Sequence, residues 1–196
     1  MRCSDRTPFP AIFFDRPAPE VAPDLIGAWL RIGATAGLIT ETEAYGANDP
    51  ASHSFRGPTA RNAAMFGPPG HAYVYRSYGV HWCLNVVCRR GEAVLFRALD
   101  PQLGLDLMAA RRGADRPALL ARGPGRLGQA LGVTRALDGL RFDQPDLCLS
   151  PGETPAVLTG TRIGITRAAD LPWRFGWAGS PHLSRRFPAT TASAPG

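Results

Sequence analysis

The chain has 196 residues and a formal net charge of +6, and all 22 of its Lys+Arg positions are Arg. At this length one domain with a sizeable core is the default, and the positive balance favours an anionic partner, nucleic acid first, although an Arg-rich, Lys-free composition is also what a GC-biased genome yields. Without Lys, neither a side-chain Schiff base nor a Walker-A phosphate loop can be built, and for a hydrolase of this composition a carboxylate-activated water is the economical attacker.

Residues 1–10 read as a loose lead-in. From Ala18 to Arg31, Val21, Leu25, Ile26, Trp29 and Leu30 recur near helical spacing, which predicts a helix starting near Pro23. Leu38 to Tyr45 is a predicted strand, followed by a loop from Gly46 to Pro58 punctuated by Asn48-Asp49-Pro50 and Gly57-Pro58. Thr59 to Phe66 is a short helix capped by Thr59. Gly67-Pro68-Pro69-Gly70 is a strong breaker. After it, His71 to Arg76 and His81 to Cys88 form a hairpin that displays Tyr78 at its tip. Arg89 to Glu92 is a turn and Ala93 to Leu99 a third long strand. Helices are expected at Leu103 to Arg112 and at Gly123 to Leu131. Leu147–Leu149, Ala156–Leu158 and Arg162–Ile165 are short strand candidates. The small, polar stretch 189–196 reads as a disordered tail behind a single domain at 1–188. Strands joined by hairpins and mixed with helices predict a mixed α/β (α+β) fold, not a doubly wound parallel sheet.

The cysteines (Cys3, Cys83, Cys88, Cys148) show no CxxC pair, which predicts free thiols in a reducing compartment. The first residues, MRCSDRTPFP, hold no apolar signal core, and no apolar run has membrane length; a cytoplasmic or nucleoid-associated protein is expected. His81 and Cys83 share a strand face, but with His71 and Cys88 they make no second pair at ligand spacing, so neither a metal nor another cofactor is expected.

The chemistry concentrates between Glu41 and Asn85. Glu41, Glu43 and Tyr45 alternate and so share one strand face; Tyr73 and Tyr75 do the same on a later strand. Carboxylates and aromatic rings on shared faces suit a site that holds a flat, electron-poor ring beside a general base. Arg97 interrupts the apolar strand VLFRAL, and an Arg in such a place takes a buried anionic partner, with Glu41 or Glu43 the candidates. Tyr78, beside Gly79 at a hairpin tip, has little core to fill and could wedge into a base stack or pack back on its own hairpin.

ETEAYG, His53, MFGPPGHAYVYRSYG, CLNVV and LFRALDP together closely resemble the alkyladenine (3-methyladenine) DNA glycosylase family, and the resemblance extends from FFDRPAPEVAPDLIGAWL through GPGRLGQALGV to GSPHLS. It implies one compact domain around a curved antiparallel sheet with a protruding β-hairpin. It implies excision of alkylated or deaminated purines from duplex DNA, by base flipping and water attack on the N-glycosidic bond, by a protein that works as a monomer. By resemblance Glu43 is the general base and Arg97 lies near the attacking water. Tyr45, His53, Tyr73, Tyr75 and Asn85 form the pocket, with Asn85 opposing the guanine exocyclic amino group. Tyr78 is the residue that replaces the flipped base, and Thr59, Arg61 and Asn62 lie in a segment that contacts the DNA backbone. Two positions depart from the family pattern: Ala60 replaces the proline of TPRN, and Val80 stands where some relatives have Met. The competing readings are a non-catalytic minor-groove binder of the same fold, in which an anion at a DNA-facing pocket has no use, and a small-molecule hydrolase, which has no need of a wedge.

Overall fold

In a computed structural model that describes residues 6–114 and 116–188, the chain is organised by two 11-residue strands. Two short helices, α1 (Ala11–Phe14) and α2 (Ala18–Asp24), precede β1 (Trp29–Ile32) and the long β2 (Thr35–Tyr45). The hairpin strands β3 (Ala72–Ser77) and β4 (His81–Val87) lead into the long β5 (Ala93–Leu103). Helices α3 (Leu105–Arg112), α4 (Pro117–Leu120) and α5 (Pro124–Leu131) follow, then β6 (Asp143–Gln144), β7 (Leu147–Ser150), β8 (Val157–Gly160) and β9 (Arg174–Trp177). The sheet runs β3-β4-β5-β2-β1-β7-β6, every pairing antiparallel. β5 covers one edge of β2. The other edge is shared by β1, opposite residues 35–38, and β9, opposite residues 41–43, with β8 outside β9. This is the mixed α/β fold around a curved antiparallel sheet that the sequence leads one to expect.

The curvature has a visible cause. Between Ile39 and Thr42 the β2–β5 register shifts twice: two residues of β2 oppose one step of β5, and then the reverse. Such bulges bend a strand and re-aim its side chains. Ile39 and Ala44, of opposite parity, therefore both reach the main core, while Glu41 and Glu43 are buried elsewhere. On the core side α2 seats against β2, and Thr42 Oγ1 donates to Ala22 O at 2.9 Å. Helix α5 lies so close to β4 that a Cβ on Gly128 would stand 2.1 Å from Trp82 O, so only glycine permits the approach. That contact braces the β3–β4 hairpin near its tip, where Trp82 pairs with Arg76.

Four expectations are corrected. The helix placed from Pro23 onward instead ends at Asp24; Gly27 turns the chain (φ 84°) and Trp29 to Ile32 is strand. Over so few residues a period of 3.6 and a period of 2 both accommodate Leu25, Trp29 and Leu30, and Gly27 N–H is taken by Ile39 O at 2.7 Å, across the chain. The helix expected over Thr59–Phe66 is reduced to a 3₁₀ turn at Ala63–Phe66. Thr59 does not cap it: both its N–H and Oγ1–H donate to Asn62 Oδ1, at 2.6 and 2.9 Å. Arg162–Ile165 is not a strand but an irregular segment. Cys83 and Cys88 are free and buried, whereas Cys148 is disulfide-bonded, so the free-thiol expectation does not extend to it. The expected tail at 189–196 and the start of the lead-in lie outside the described residues. No helix among those residues is long and apolar enough to cross a membrane.

Candidate active site

Glu43 and Tyr45 leave β2 on the same side, and Arg97 meets them from the adjacent β5. Glu43 is fully buried. Its Oε2 accepts from Tyr45 Oη at 2.9 Å and from Arg97 Nη1 at 3.0 Å; its Oε1 accepts from the Ile163 amide at 2.7 Å. A carboxylate offers about four lone-pair sites, so one remains, on Oε1. Glu41, two residues away, differs. Its Oε1 accepts from Arg97 Nε (3.1 Å), Arg174 Nε (2.7 Å) and Ser184 Oγ (2.7 Å), and its Oε2 from the Ser184 amide. Four donors reach it, three of them crowded on Oε1. Glu41, tied to Arg97, Arg174 and Ser184, is a structural anchor; Glu43 holds one donor fewer and keeps a free site on Oε1. Both candidate partners of Arg97 are thus real: one guanidinium bridges the two carboxylates. Burial alone would lower the Arg97 pKa, but Glu43 and then Glu41 outweigh it and the net shift is upward. Burial, reinforced by Glu43, pushes the Tyr45 phenol up, so it keeps its proton and donates.

Arg97, Tyr45 and Ile163 line a cleft of about 1090 Å³. Tyr73 and Tyr75 form one wall, their rings 5.7 Å apart and inclined by 30°. His53, carried by the 46–58 loop, sets its ring edge-on to Tyr75 at 4.5 Å and shares a 2.8 Å hydrogen bond between Nδ1 and Tyr73 Oη. Burial of that ring lowers its pKa, which keeps it neutral near pH 7. Burial likewise raises Tyr73 and Tyr75. Asn85 is buried at the cleft, its amide nitrogen fixed by Tyr73 O at 2.9 Å.

Tyr78 is 92% exposed at the hairpin tip. It and Gly79 form a turn with both residues left-handed (φ 49° and 69°), closed by Val80 N–H donating to Ser77 O at 3.0 Å. That conformation is ordinary for Gly79 and strained for tyrosine, and strain of this kind gathers at functional positions. Val80, 63% exposed, extends the apolar tip. Across the cleft, Thr59 and Arg61 are exposed on its rim. Asn62 is buried instead, and its Nδ2 donates to His53 O (2.8 Å) and Gly57 O (3.1 Å), so its side chain shapes the loop from within. Among the described residues no three His, Cys, Asp or Glu side chains gather as a metal-binding group.

Sequence reasoning missed the Ile163 amide, Arg174, Ser184 and the buried Arg162–Asp49 pair. Arg174 carried a usable clue: in WRFGW it is a cation among aromatics, the same anomaly that singled out Arg97. The others left no signal in the sequence, because their partners lie far along the chain.

The sequence is shared over most of its length. A family model described as Methylpurine-DNA glycosylase (MPG) matches residues 12–181. A protein of Nitrosospira multiformis is 56% identical over 182 residues, covering 91% of this chain and 94% of its own. One from Agrobacterium fabrum is 55% identical over 179 residues (91% and 93%), and one from Rhizobium meliloti 56% identical over 176 (89% and 95%). Each of the three bears the name "Putative 3-methyladenine DNA glycosylase".

Proposed function

This chain belongs to the methylpurine-DNA glycosylase family, and on that premise we propose that it is a monofunctional glycosylase that removes alkylated or deaminated purines from duplex DNA. The observation that carries the proposal is the Glu43 carboxylate: buried, held by three donors, with one acceptor site left, behind a cleft walled by tyrosines.

A base inside a duplex cannot be reached, so the damaged nucleotide is turned out into the cleft. Tyr78, on its exposed tip, fills the vacated place in the stack and lowers the cost of keeping the base out. N3- and N7-alkylated purines are cationic. The faces of Tyr45 and Tyr75 attract such a ring, and a neutral His53 does not repel it. Asn85 opposes the exocyclic amino group of guanine. Glu43 Oε1 accepts a hydrogen bond from water. As the C1′–N bond lengthens and positive charge grows on the sugar, the water oxygen bonds to C1′, its proton passes to Glu43, and the bond's electron pair leaves with the purine. Arg97, donating to Oε2, holds Glu43 in place for this task. The product is a free base and an abasic site. With no Lys available no side chain forms a Schiff base, and the strand stays intact. On the rim, Arg61 and Thr59 meet phosphates while Asn62 holds their loop in shape. The protein acts as a monomer on damaged double-stranded DNA. Loss of base release on Glu43→Gln, with lesion binding retained, is the direct test.

A further inference from the structure

Arg162 is as fully buried as any charged side chain in the protein, and the reaction above gives it no part. Its Nη1 donates to Ala44 O at 2.9 Å and to Asp49 Oδ2; its Nη2 donates to Asp49 Oδ1 and to Ala168 O, both at 3.1 Å. Its guanidinium lies over the ring of Tyr45 (4.8 Å to the centroid) and that of Trp173 (5.3 Å). Its Nε has no partner among the described residues. A buried ion pair with an unmet donor is a poor device for stability, because desolvation cancels much of the Coulombic gain. What it does is fix geometry. It ties three pieces together: the end of β2 at Ala44, the loop that carries Asp49 and His53, and the irregular segment 161–168. Within that segment Ala168 is held at a φ of 45°, left-handed for a non-glycine residue. The residue after Arg162 is Ile163, whose amide supplies the only bond to Glu43 Oε1 among the described residues.

We infer that Arg162, paired with Asp49, is a positioning residue: it holds the Ile163 amide against Glu43 and backs the ring of Tyr45, and so aims the free acceptor site of Oε1 at the attacking water. The inference rests on the glycosylase reading. Without the pair, segment 161–168 is released from the loop and from β2. Glu43 keeps Arg97 and Tyr45 on Oε2 but turns about them, and its base function is lost through misplacement while the DNA-contacting rim stays intact. Misplacement of about 1 Å costs up to roughly 100-fold in rate.

The test compares wild type, Arg162→Met, Arg162→Lys and Asp49→Asn on a duplex with one alkylated purine. The readings are melting temperature, affinity for a duplex carrying a stable abasic analogue, and single-turnover rate at saturating enzyme. Expected for Arg162→Met are a rate roughly 10- to 100-fold lower and affinity within about threefold. Arg162→Lys, which keeps a cation for Asp49, recovers part of the lost rate. If Arg162→Met does not fold, Asp49→Asn, which keeps shape but removes the anion, carries the same split between rate and affinity. A folded variant whose rate stays within twofold of wild type, or whose rate and affinity fall together with no gain from Lys, makes Arg162 a packing residue and overturns the inference alone. A wild-type protein that releases no base overturns the glycosylase reading and this inference with it.

Discussion

Glu43→Gln separates the chemistry of the site from its architecture, because glutamine keeps the shape of the side chain and removes the base. The amide must place one NH₂ where a carboxylate oxygen accepted a bond. Set at the Oε2 position, it would face Arg97 Nη1, which can only donate; set at Oε1, it faces the Ile163 amide alone. The second orientation costs less, and leaves one buried donor unmet, about 1–3 kcal/mol. For a domain of this size that is a fall in melting temperature of about 2–4 °C per kcal/mol. The loss in rate is much larger. Removing a general base costs roughly 10²–10⁴-fold, equivalent to about 2.7–5.4 kcal/mol of transition-state stabilisation. The assay is single-turnover release of purine with enzyme in excess, below the variant's melting point, alongside lesion binding. Glu41→Gln is the control. It disturbs the four bonds that Arg97, Arg174 and Ser184 donate to this carboxylate, so it lowers the melting temperature at least as much while costing less rate. Glu43→Gln within tenfold of wild type, or Glu41→Gln the slower of the two, refutes the assignment of roles.

Tyr78→Ser leaves the melting temperature nearly unchanged, because the ring is exposed, and lowers base release on paired lesions more than on mispaired ones, which cost less to extrude; an equal loss on both places its action after flipping, and a large melting drop makes it a packing residue. Arg61→Ala reduces the slope of log affinity against log salt by about one, as one lost phosphate contact does; an unchanged slope removes Arg61 from the DNA footprint. Burial lowers the pKa of His53, so the unfolded chain takes up that proton first: the ring's contribution to stability is full above about pH 6.5 and is lost as pH falls through the lower folded value. His53→Gln, which cannot charge, therefore loses less melting temperature than wild type on going from neutral to acid pH, and equal losses assign the acid sensitivity elsewhere.

What the sequence made legible follows the range of the interactions involved. The hairpin, its tyrosine tip and the shared face of Glu41, Glu43 and Tyr45 depend on spacings of two to ten residues, which periodicity and turn chemistry report directly. The Arg97 contact spans more than fifty residues but announced itself, because an Arg within an apolar strand needs an anion. The donors that distinguish Glu43 from Glu41 do not announce themselves. Ile163 and Ser184 lie 120 and 143 residues from their carboxylates, one through a backbone amide that no side-chain pattern reveals. β1 was hidden for a different reason, since four residues starting two after Gly27 satisfy a helical and an alternating pattern equally. Asn62 looked like a surface polar residue in a DNA-contacting segment; only the folded loop shows that its amide is consumed by Thr59, His53 and Gly57.

The central claim is that this cleft hydrolyses the N-glycosidic bond of a damaged purine. The measurement that bears on it most directly is release of free base from a set of duplexes, each carrying one alkylated or deaminated purine, with an undamaged duplex beside them. The account predicts release of free purine from at least one lesion, none from the undamaged duplex, and an abasic strand that breaks only on later exposure to alkali. Tight lesion binding with no base released from any duplex would contradict it.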